Sequence, residues 1–241
     1  MIRSRVPDME LEIFTHGALC CSLSGSCLFS SYLGGASGNR GKCKQPCRRR
    51  FFSKDGNGFF FSTADLAVLE MIPRFKAMNI ASLKIEGRLK QPDYVYNAVK
   101  AYRHVLDDVA AGRPIDPVWR DEVEHVSHRP YATGFFYGEP GQYTDNGRYI
   151  RQWQIFAVVD HCDAEGNAVL SLWNKFRAGD TVEIVGPDCK PFSLVAPEME
   201  DMEGNALLEP RTPQSLFKMK LPRPVPPMSF VRHAVDLSAQ D

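Results

Sequence analysis

The chain has no stretch close to the roughly 18 consecutive apolar residues that a membrane-spanning helix requires. Its first residues, MIRSRVPDME, lack the apolar centre of a secretory signal, so a cytoplasmic location is expected. Charge of one sign is also missing. The 29 Lys and Arg side chains are matched by 29 Asp and Glu, so any contact with nucleic acid must come from a local patch. No HExxH, no GxSxG and no recognisable Cys–His–Asn arrangement is present, which removes the common motifs of metalloproteases, serine hydrolases and papain-like proteases. Seven cysteines, an odd count, fit poorly with a fully paired secreted scaffold, and a reducing compartment favours metal ligation over disulfides. No internal repeat stands out. At 241 residues the chain holds one large domain, or one medium and one small.

Four of the cysteines are concentrated in one Gly- and Ser-rich stretch: Cys20, Cys27, Cys43 and Cys47. Thiolate sulfur is the preferred ligand of iron–sulfur clusters and of structural zinc. The spacing of seven, then sixteen, then four residues matches none of the usual short zinc-ribbon or thioredoxin patterns. On the residues alone an iron–sulfur cluster, a zinc ion and scattered buried thiols all stay open, since C-x3-C also suits zinc. Cys21 is expected to point away from its neighbour and serve packing, and Cys162 and Cys189 are read as structural.

Two segments alternate as strands, 9–19 and 81–88. In the first, Leu11, Ile13 and Thr15 oppose Glu10, Glu12, Phe14 and His16. In the second, Leu83 and Ile85 oppose Ser82, Lys84, Glu86 and Arg88. Between them a helix is predicted over 63–78, broken or kinked at Pro73. A second helix begins near Pro92, carries a stripe of Val95, Ala98, Val99, Tyr102, Val105, Leu106 and Val109, and ends at Gly112. Strand, helix, strand, helix implies parallel strands. The polar faces suit a β/α barrel, in which groups near the strand ends line the active site. Two strands cannot close one, so the expectation is the C-terminal part of a TIM-like barrel, in a truncated chain or with the earlier strands on a partner chain.

The partial barrel is assigned to 1–115 and a short helix with a Gly- and Tyr-rich linker to 116–150, the helix capped by Asp116 with Pro117 at its first position. Over 151–222, short β-runs alternate with turn signals and predict a small antiparallel β-barrel or sandwich, with 223–241 as a loosely held Pro-rich tail.

Several side chains admit two readings. His16 suits a proton donor, a substrate contact or a core histidine. Glu12, Lys84, Glu86 and Arg88 share one face and form either a buried ion-pair network or a site where Lys84 or Arg88 grips a carboxylate that Glu86 orients. Arg40, Lys42, Lys44, Arg48, Arg49 and Arg50 surround the last two cysteines, with Phe51 and Phe52 following. They suit a phosphate-binding patch with stacking aromatics, compensation for a thiolate cluster, or a solvated loop. Tyr94 and Tyr102 are read as core or groove aromatics.

The run from Glu12, Phe14 and Gly17 through Ala18-Leu19-Cys20 to Gly25, Cys27 and Ser30 resembles the signature of the collagenase-like peptidases, family U32. NRGKCKQPCR, SLKIEGRLKQPDYVYNAVKAYR and VSHRPYATGFFYG are similar to that family as well, so the likeness runs from about 9 to 140. FRAGDTVEIVGP and MEDMEGN resemble the accessory C-terminal domain of some members. The departures are Phe29 in place of an aliphatic, Ala67 where some relatives carry cysteine after Asp-Leu, and about eight residues where members have an N-terminal barrel portion.

The resemblance implies an oxygen-independent hydroxylase with a 4Fe–4S cluster on Cys20, Cys27, Cys43 and Cys47. Relatives act on a tRNA wobble uridine, a ribosomal-RNA cytidine or ubiquinone precursors, with prephenate implicated as hydroxyl source. The accessory domain points to the tRNA branch. Of the side chains with two readings, His16, Glu86 and Arg88 are taken as candidate catalytic residues and Lys84, Arg40, Arg48 and Arg49 as candidate substrate contacts. Proteolysis, after the family name, and a non-catalytic cluster-bearing subunit are the alternatives, with zinc as the other metal.

Overall fold

The computed structural model describes residues 2–23, 26–140 and 142–235, which divide into two compact units, Met1–Ile150 and Arg151–Asp241. In the first unit a short helix α1 (Ile2–Arg5) precedes strand β1 (Glu12–Ala18). Helix α2 (Phe29–Gly34) and the hairpin β2 (Phe51–Ser53) and β3 (Gly56–Gly58) follow, with the cysteine loop between them. Then come β4 (Asp65–Ala67), α3 (Ile72–Ala77), β5 (Ser82–Glu86), α4 (Pro92–Ala110), α5 (Val118–Glu124) and β6 (Tyr131–Ala132).

The expected parallel pair is present: β1 and β5 run side by side from Glu12 opposite Ser82 to Gly17 opposite Glu86. The sheet has order β5-β1-β4-β6, with β4 antiparallel to β1 and β6 parallel to β4. Among the described residues it is a four-stranded mixed sheet and no closed barrel.

The helix expected over 63–78 is shorter than its apolar spacing suggested. Leu66 pairs into the sheet, a 3-10 turn spans Leu69–Met71, and the α-helix begins at Ile72. Pro73 sits in its first turn, where a missing N–H costs nothing, so it starts this helix and does not break it.

Helix α4 is where it was expected, but its buried face is rotated. Tyr94, Ala98, Ala101, Tyr102 and Val105 are buried at helical spacing, while Val95 and Val99 are 40% and 49% exposed. This face meets Ile13, Leu83 and Ile85 from the strands and Leu66, Leu69, Ile72, Phe75, Trp119 and Val123 in one apolar cluster. Asp116 accepts a 3.1 Å hydrogen bond from the Val118 N–H at the start of α5.

The second unit consists of β7 (Trp153–Cys162), β8 (Asn167–Leu172), β9 (Thr181–Val185), β10 (Phe192–Val195), β11 (Met199–Glu200), β12 (Ala206–Leu207), β13 (Leu216–Lys220) and β14 (Phe230–Ala234). Every pairing is antiparallel, in the order β10-β9-β14-β7-β8-β13-β11-β12, and the sheet curls into a half-barrel. Its concave side is filled by Phe156, Leu170, Leu172, Phe176, Ile184, Met199 and Phe217.

The Pro-rich tail expected to be loosely held over 223–241 contributes strand β14, which lies between β9 and β7 with Phe230 and Val231 buried; its residues 236–241 lie outside the described residues. Composition misled here, because Pro222, Pro224, Pro226 and Pro227 precede that strand without interrupting it. Arg232 on β14 donates from Nε to Glu183 Oε2 at 2.7 Å and lies 4.8 Å over the Trp153 ring.

Phe217 is fully buried against Phe176, with ring centroids 5.8 Å apart. Phe217→Ala is expected to lower stability by about 3–5 kcal/mol through lost transfer energy and the cavity left behind. Urea denaturation checks this, with a loss under about 1 kcal/mol contradicting the packing assigned to that ring.

Candidate metal centre and the cation cluster beside it

The site grows from the C-terminal ends of β1 and β5. Gly17 has φ +113°, and a methyl group there would overlap the Glu86 carbonyl, so only glycine lets the two strand ends approach this closely. Beyond it, the Leu19 carbonyl accepts from Arg48 Nη2 and Thr63 Oγ1, both at 2.9 Å, which fixes the chain just before Cys20. On the other side of the loop, Ser30 Oγ accepts from the Lys44 N–H at 2.9 Å and ties α2 to the Cys43–Cys47 segment. Gly41 has φ +74°, and the Arg88 guanidinium occupies the space where a side chain there would stand.

These constraints bring Cys20, Cys27, Cys43 and Cys47 onto one cavity of about 540 Å³. Lys84, Glu86, Arg88 and Arg48 line the same cavity, whereas His16, Arg40 and Arg49 do not. Lys84 and Arg88 are exposed, and Glu86 Oε1 accepts from the Arg88 N–H at 2.9 Å. Arg40 and Arg49 lie on the exposed loop surface.

Cys21 does not turn away as expected. It lines the cavity as a fifth thiol, and burial, then Cys47 beside it, push that thiol up to about 11. Ala67 stands in β4 opposite His16, outside the lining.

Five sulfurs on one cavity suit a thiophilic metal centre by donor chemistry. Tetrahedral zinc on thiolates requires sulfurs about 3.8 Å apart, given Zn–S bonds of about 2.3 Å. Among the described residues no three of these thiols lie within 4.8 Å of one another.

His16 was expected on the face of Glu12, Lys84 and Glu86. The β1–β5 register shifts between Phe14 and His16, so Phe14 stays opposite Lys84 on the cavity side and His16 comes opposite Ile85. The bulge turns its ring into a cage of Tyr94, Tyr102 and Tyr131, with centroids 5.3–5.6 Å away. The ring is fully buried, and desolvation lowers its pKa to about 3 despite the opposing pull of Asp65. At neutral pH it is therefore uncharged.

The groups that sequence reading missed surround Asp65, a fully buried carboxylate on β4. Arg129 reaches it twice, from Nη2 to Oδ1 and from its backbone N–H to Oδ2 at 3.1 Å. Lys90 Nζ is 3.6 Å from Oδ2, and Arg48 Nη1 is 3.9 Å from Oδ1. Burial raises the Asp65 pKa, but the surrounding cations and hydrogen bonds outweigh it and hold the carboxyl below its usual range.

Lys90 also donates to the Ser127 carbonyl at 2.8 Å and lies over Tyr149 and Tyr94, 4.2 and 4.7 Å from their centroids. Desolvation lowers it to about 8 against the pull of Asp65. Arg48, expected to meet substrate, is thus held by Leu19 and Asp65 with its side chain 10% exposed. Asp65 stands alone in its segment and Lys90 and Arg129 lie far from it in sequence. The one usable signal was a lone acid within an otherwise apolar or small run, Thr63-Ala64-Asp65-Leu66-Ala67.

Two measurements follow. A histidine whose folded pKa is depressed stabilises the fold fully above its unfolded pKa, and that stability is lost as pH falls toward the folded value. Stability attributable to His16 should therefore decline from about pH 6.5 to about pH 3, by about 3–5 kcal/mol. The stability gap between wild type and His16→Gln, measured by urea titration across that window, should shrink as pH falls; a constant gap would contradict a buried neutral ring. Asp65→Asn leaves three cations without their carboxylate and is expected to cost about 3–5 kcal/mol. Faster reaction of the cavity thiols with a disulfide reagent should accompany it.

Residues 1–146 match Peptidase family U32, and residues 151–232 match the Peptidase family U32 C-terminal domain. The chain is similar to tRNA hydroxylation protein P1 of Bacillus subtilis (strain 168), with 32% identity over 93% of this chain and 58% of that protein. An uncharacterized protease of Methanocaldococcus jannaschii is 36% identical over 74% of this chain and 49% of its own length. A collagenase of Porphyromonas gingivalis is 28% identical over 74% of this chain and 54% of its own. The chain thus spans about half to three-fifths of the length of these relatives. With the family match covering well over half of its residues, the chain belongs to peptidase family U32 and carries that family's C-terminal domain.

Proposed function

We propose that this chain is a cytoplasmic enzyme that holds a 4Fe–4S cluster on Cys20, Cys27, Cys43 and Cys47 and hydroxylates a tRNA base, the wobble uridine, without molecular oxygen. The observation that carries this reading is the convergence of all four thiols on one cavity with cations in its wall. The similarity to a tRNA hydroxylation protein over 93% of the chain supports the RNA substrate. Among the described residues no helix is long and apolar enough to cross a membrane.

A bound cluster supplies electron-transfer and Lewis-acid chemistry. The chain's own residues do the rest. Lys84 and Arg88, exposed at the end of β5, are available to carboxylates of a donor such as prephenate, and Glu86 fixes the Arg88 backbone. The neutral His16 is a packing residue of the wall behind them. The sheet of β5, β1 and β4 is proposed to be part of a β/α barrel, whose strand ends carry the site.

RNA is proposed to meet the loop surface around the cavity. Arg40, Lys42, Lys44, Arg49 and Arg50 are exposed there. Phe52 is 78% exposed with the Arg50 guanidinium 5.9 Å over its ring. Phe51 stacks on Phe29 and meets Phe61 edge-on. Cations that follow a phosphate backbone and an aromatic with a free face are the elements of a single-strand platform.

Similarity to proteins named protease and collagenase favours peptidolysis as the second reading. Two experiments decide. Anaerobically reconstituted protein is expected to be brown and to hold about four iron atoms per chain, and alanine at any of the four cysteines is expected to cost most of that iron. RNA nucleosides from a deletion strain should lack the hydroxylated uridine; an unchanged nucleoside profile, together with gelatin cleavage by the purified protein, would replace hydroxylation by proteolysis.

A further inference from the structure

Beside the thiols the cavity wall carries more positive charge than the chain balances. Arg48, Lys90 and Arg129 surround Asp65, with side chains 10%, 10% and 0% exposed. Three cations face one carboxylate. Glu86, the one acid lining the cavity among the described residues, is engaged with the backbone of Arg88, itself a cation. Of the acids farther out, Glu124 is 3.1 Å from His128 Nε2, and Asp93, which feels Lys90, accepts backbone hydrogen bonds at the start of α4. Such an excess in a poorly hydrated place is unfavourable unless an anion completes it.

The hydrogen-bond inventory points the same way. Nε and Nη1 of both Arg48 and Arg129, the Tyr94 hydroxyl and His16 Nδ1 are buried without a hydrogen-bond partner among the described residues. Unmade hydrogen bonds at buried guanidinium groups are costly, and a partner of complementary shape is a planar carboxylate or a phosphate. Arg48, Lys90 and Tyr149 line the cavity themselves, so a small molecule entering it meets these cations directly.

We propose that Arg48 and Lys90, which line the cysteine cavity, form a binding site for a small oxyanion, a carboxylate or a phosphate, with the buried Arg129 behind them on Asp65 adding to the positive charge. The site is distinct from the exposed pair Lys84 and Arg88 at the mouth, where water screens the charge. An anion held here sits between the cations and the thiols. Asp65 keeps the three cations in place when the anion is absent. In this way the inner wall, rather than the mouth, selects ligands by their charged group.

Calorimetric titration of the full chain, freed of metal by a chelator and kept in low salt without RNA, tests the site. The probes are malonate and inorganic phosphate. Saturable binding of malonate alone assigns a carboxylate ligand, binding of phosphate alone assigns a phosphate, and binding of both assigns a site that takes either oxyanion. Lys90→Met and Arg48→Gln are each expected to weaken binding by at least about tenfold, while Lys54→Ala, on the exposed turn between β2 and β3 and outside the cavity, changes it less than about twofold.

Where a variant does not fold, amine acetylation of wild-type protein followed by mass spectrometry provides the second measurement, with saturating probe expected to protect Lys90 and to leave Lys54 reactive. Absence of saturable binding to either probe, or equal weakening and equal protection at Lys54, overturns the proposal. Neither metal nor RNA is present in this test. Its failure is therefore separate from failure of the hydroxylase reading.

Discussion

The first unit depends on a single buried carboxylate. Asp65 lies in β4, and the three cations that reach it come from three other segments: Arg48 from the cysteine loop, Lys90 from the turn after β5, and Arg129 from the stretch leading into β6. Each of those segments is short on regular structure and has little apolar surface to bury. A charge at their meeting point supplies what packing does not. Burying four ionised groups is expensive, and the arrangement persists because the Asp65 carboxylate accepts two hydrogen bonds from Arg129 as well as two longer ionic contacts.

That constraint explains how thiols separated in sequence share one cavity. Arg48 touches Asp65 with one nitrogen and the Leu19 carbonyl with another, so it joins the residue before Cys20 to the residue after Cys47. Ser30, just after Cys27, takes the Lys44 N–H, just after Cys43. Two cross-links therefore bring the early and the late cysteine pair together, and neither requires a metal. The same geometry separates adjacent arginines: Arg48 is committed to the interior, while Arg49 lies on the exposed surface. Local sequence treats the two alike.

Regular periodicity was legible where an element is long. The existence and approximate extent of β1, β5 and α4 could be read from the residues, because each runs for five or more positions, although the buried face of α4 is rotated and the parity of β1 breaks at His16. Short or interrupted elements were not legible. Strand β4 has three residues and no alternation to detect. His16 was assigned to the polar face because parity was carried across a bulge that only the pairing with β5 reveals. Cys21 was assigned away from its neighbours on the same assumption of strict alternation, although β1 has already ended at Ala18. The strand β14 was hidden by the prolines before it.

The candidate site followed the same division. Cysteine content pointed to the cavity, and Lys84, Glu86 and Arg88 line it because they lie in or just beyond the regular strand β5. The inner wall escaped notice because its members are distant in sequence and individually ordinary. Yet it is this wall that gives the cavity its electrostatic character. At the mouth, Lys84 and Arg88 are exposed, and solvent weakens their pull on an incoming anion. Deeper in, Lys90 is poorly hydrated enough to fall to about 8 while still facing Asp65. A negatively charged group that passes the mouth meets Arg48 and Lys90 where water screens them less than it screens Lys84 and Arg88, so each contact there counts for more.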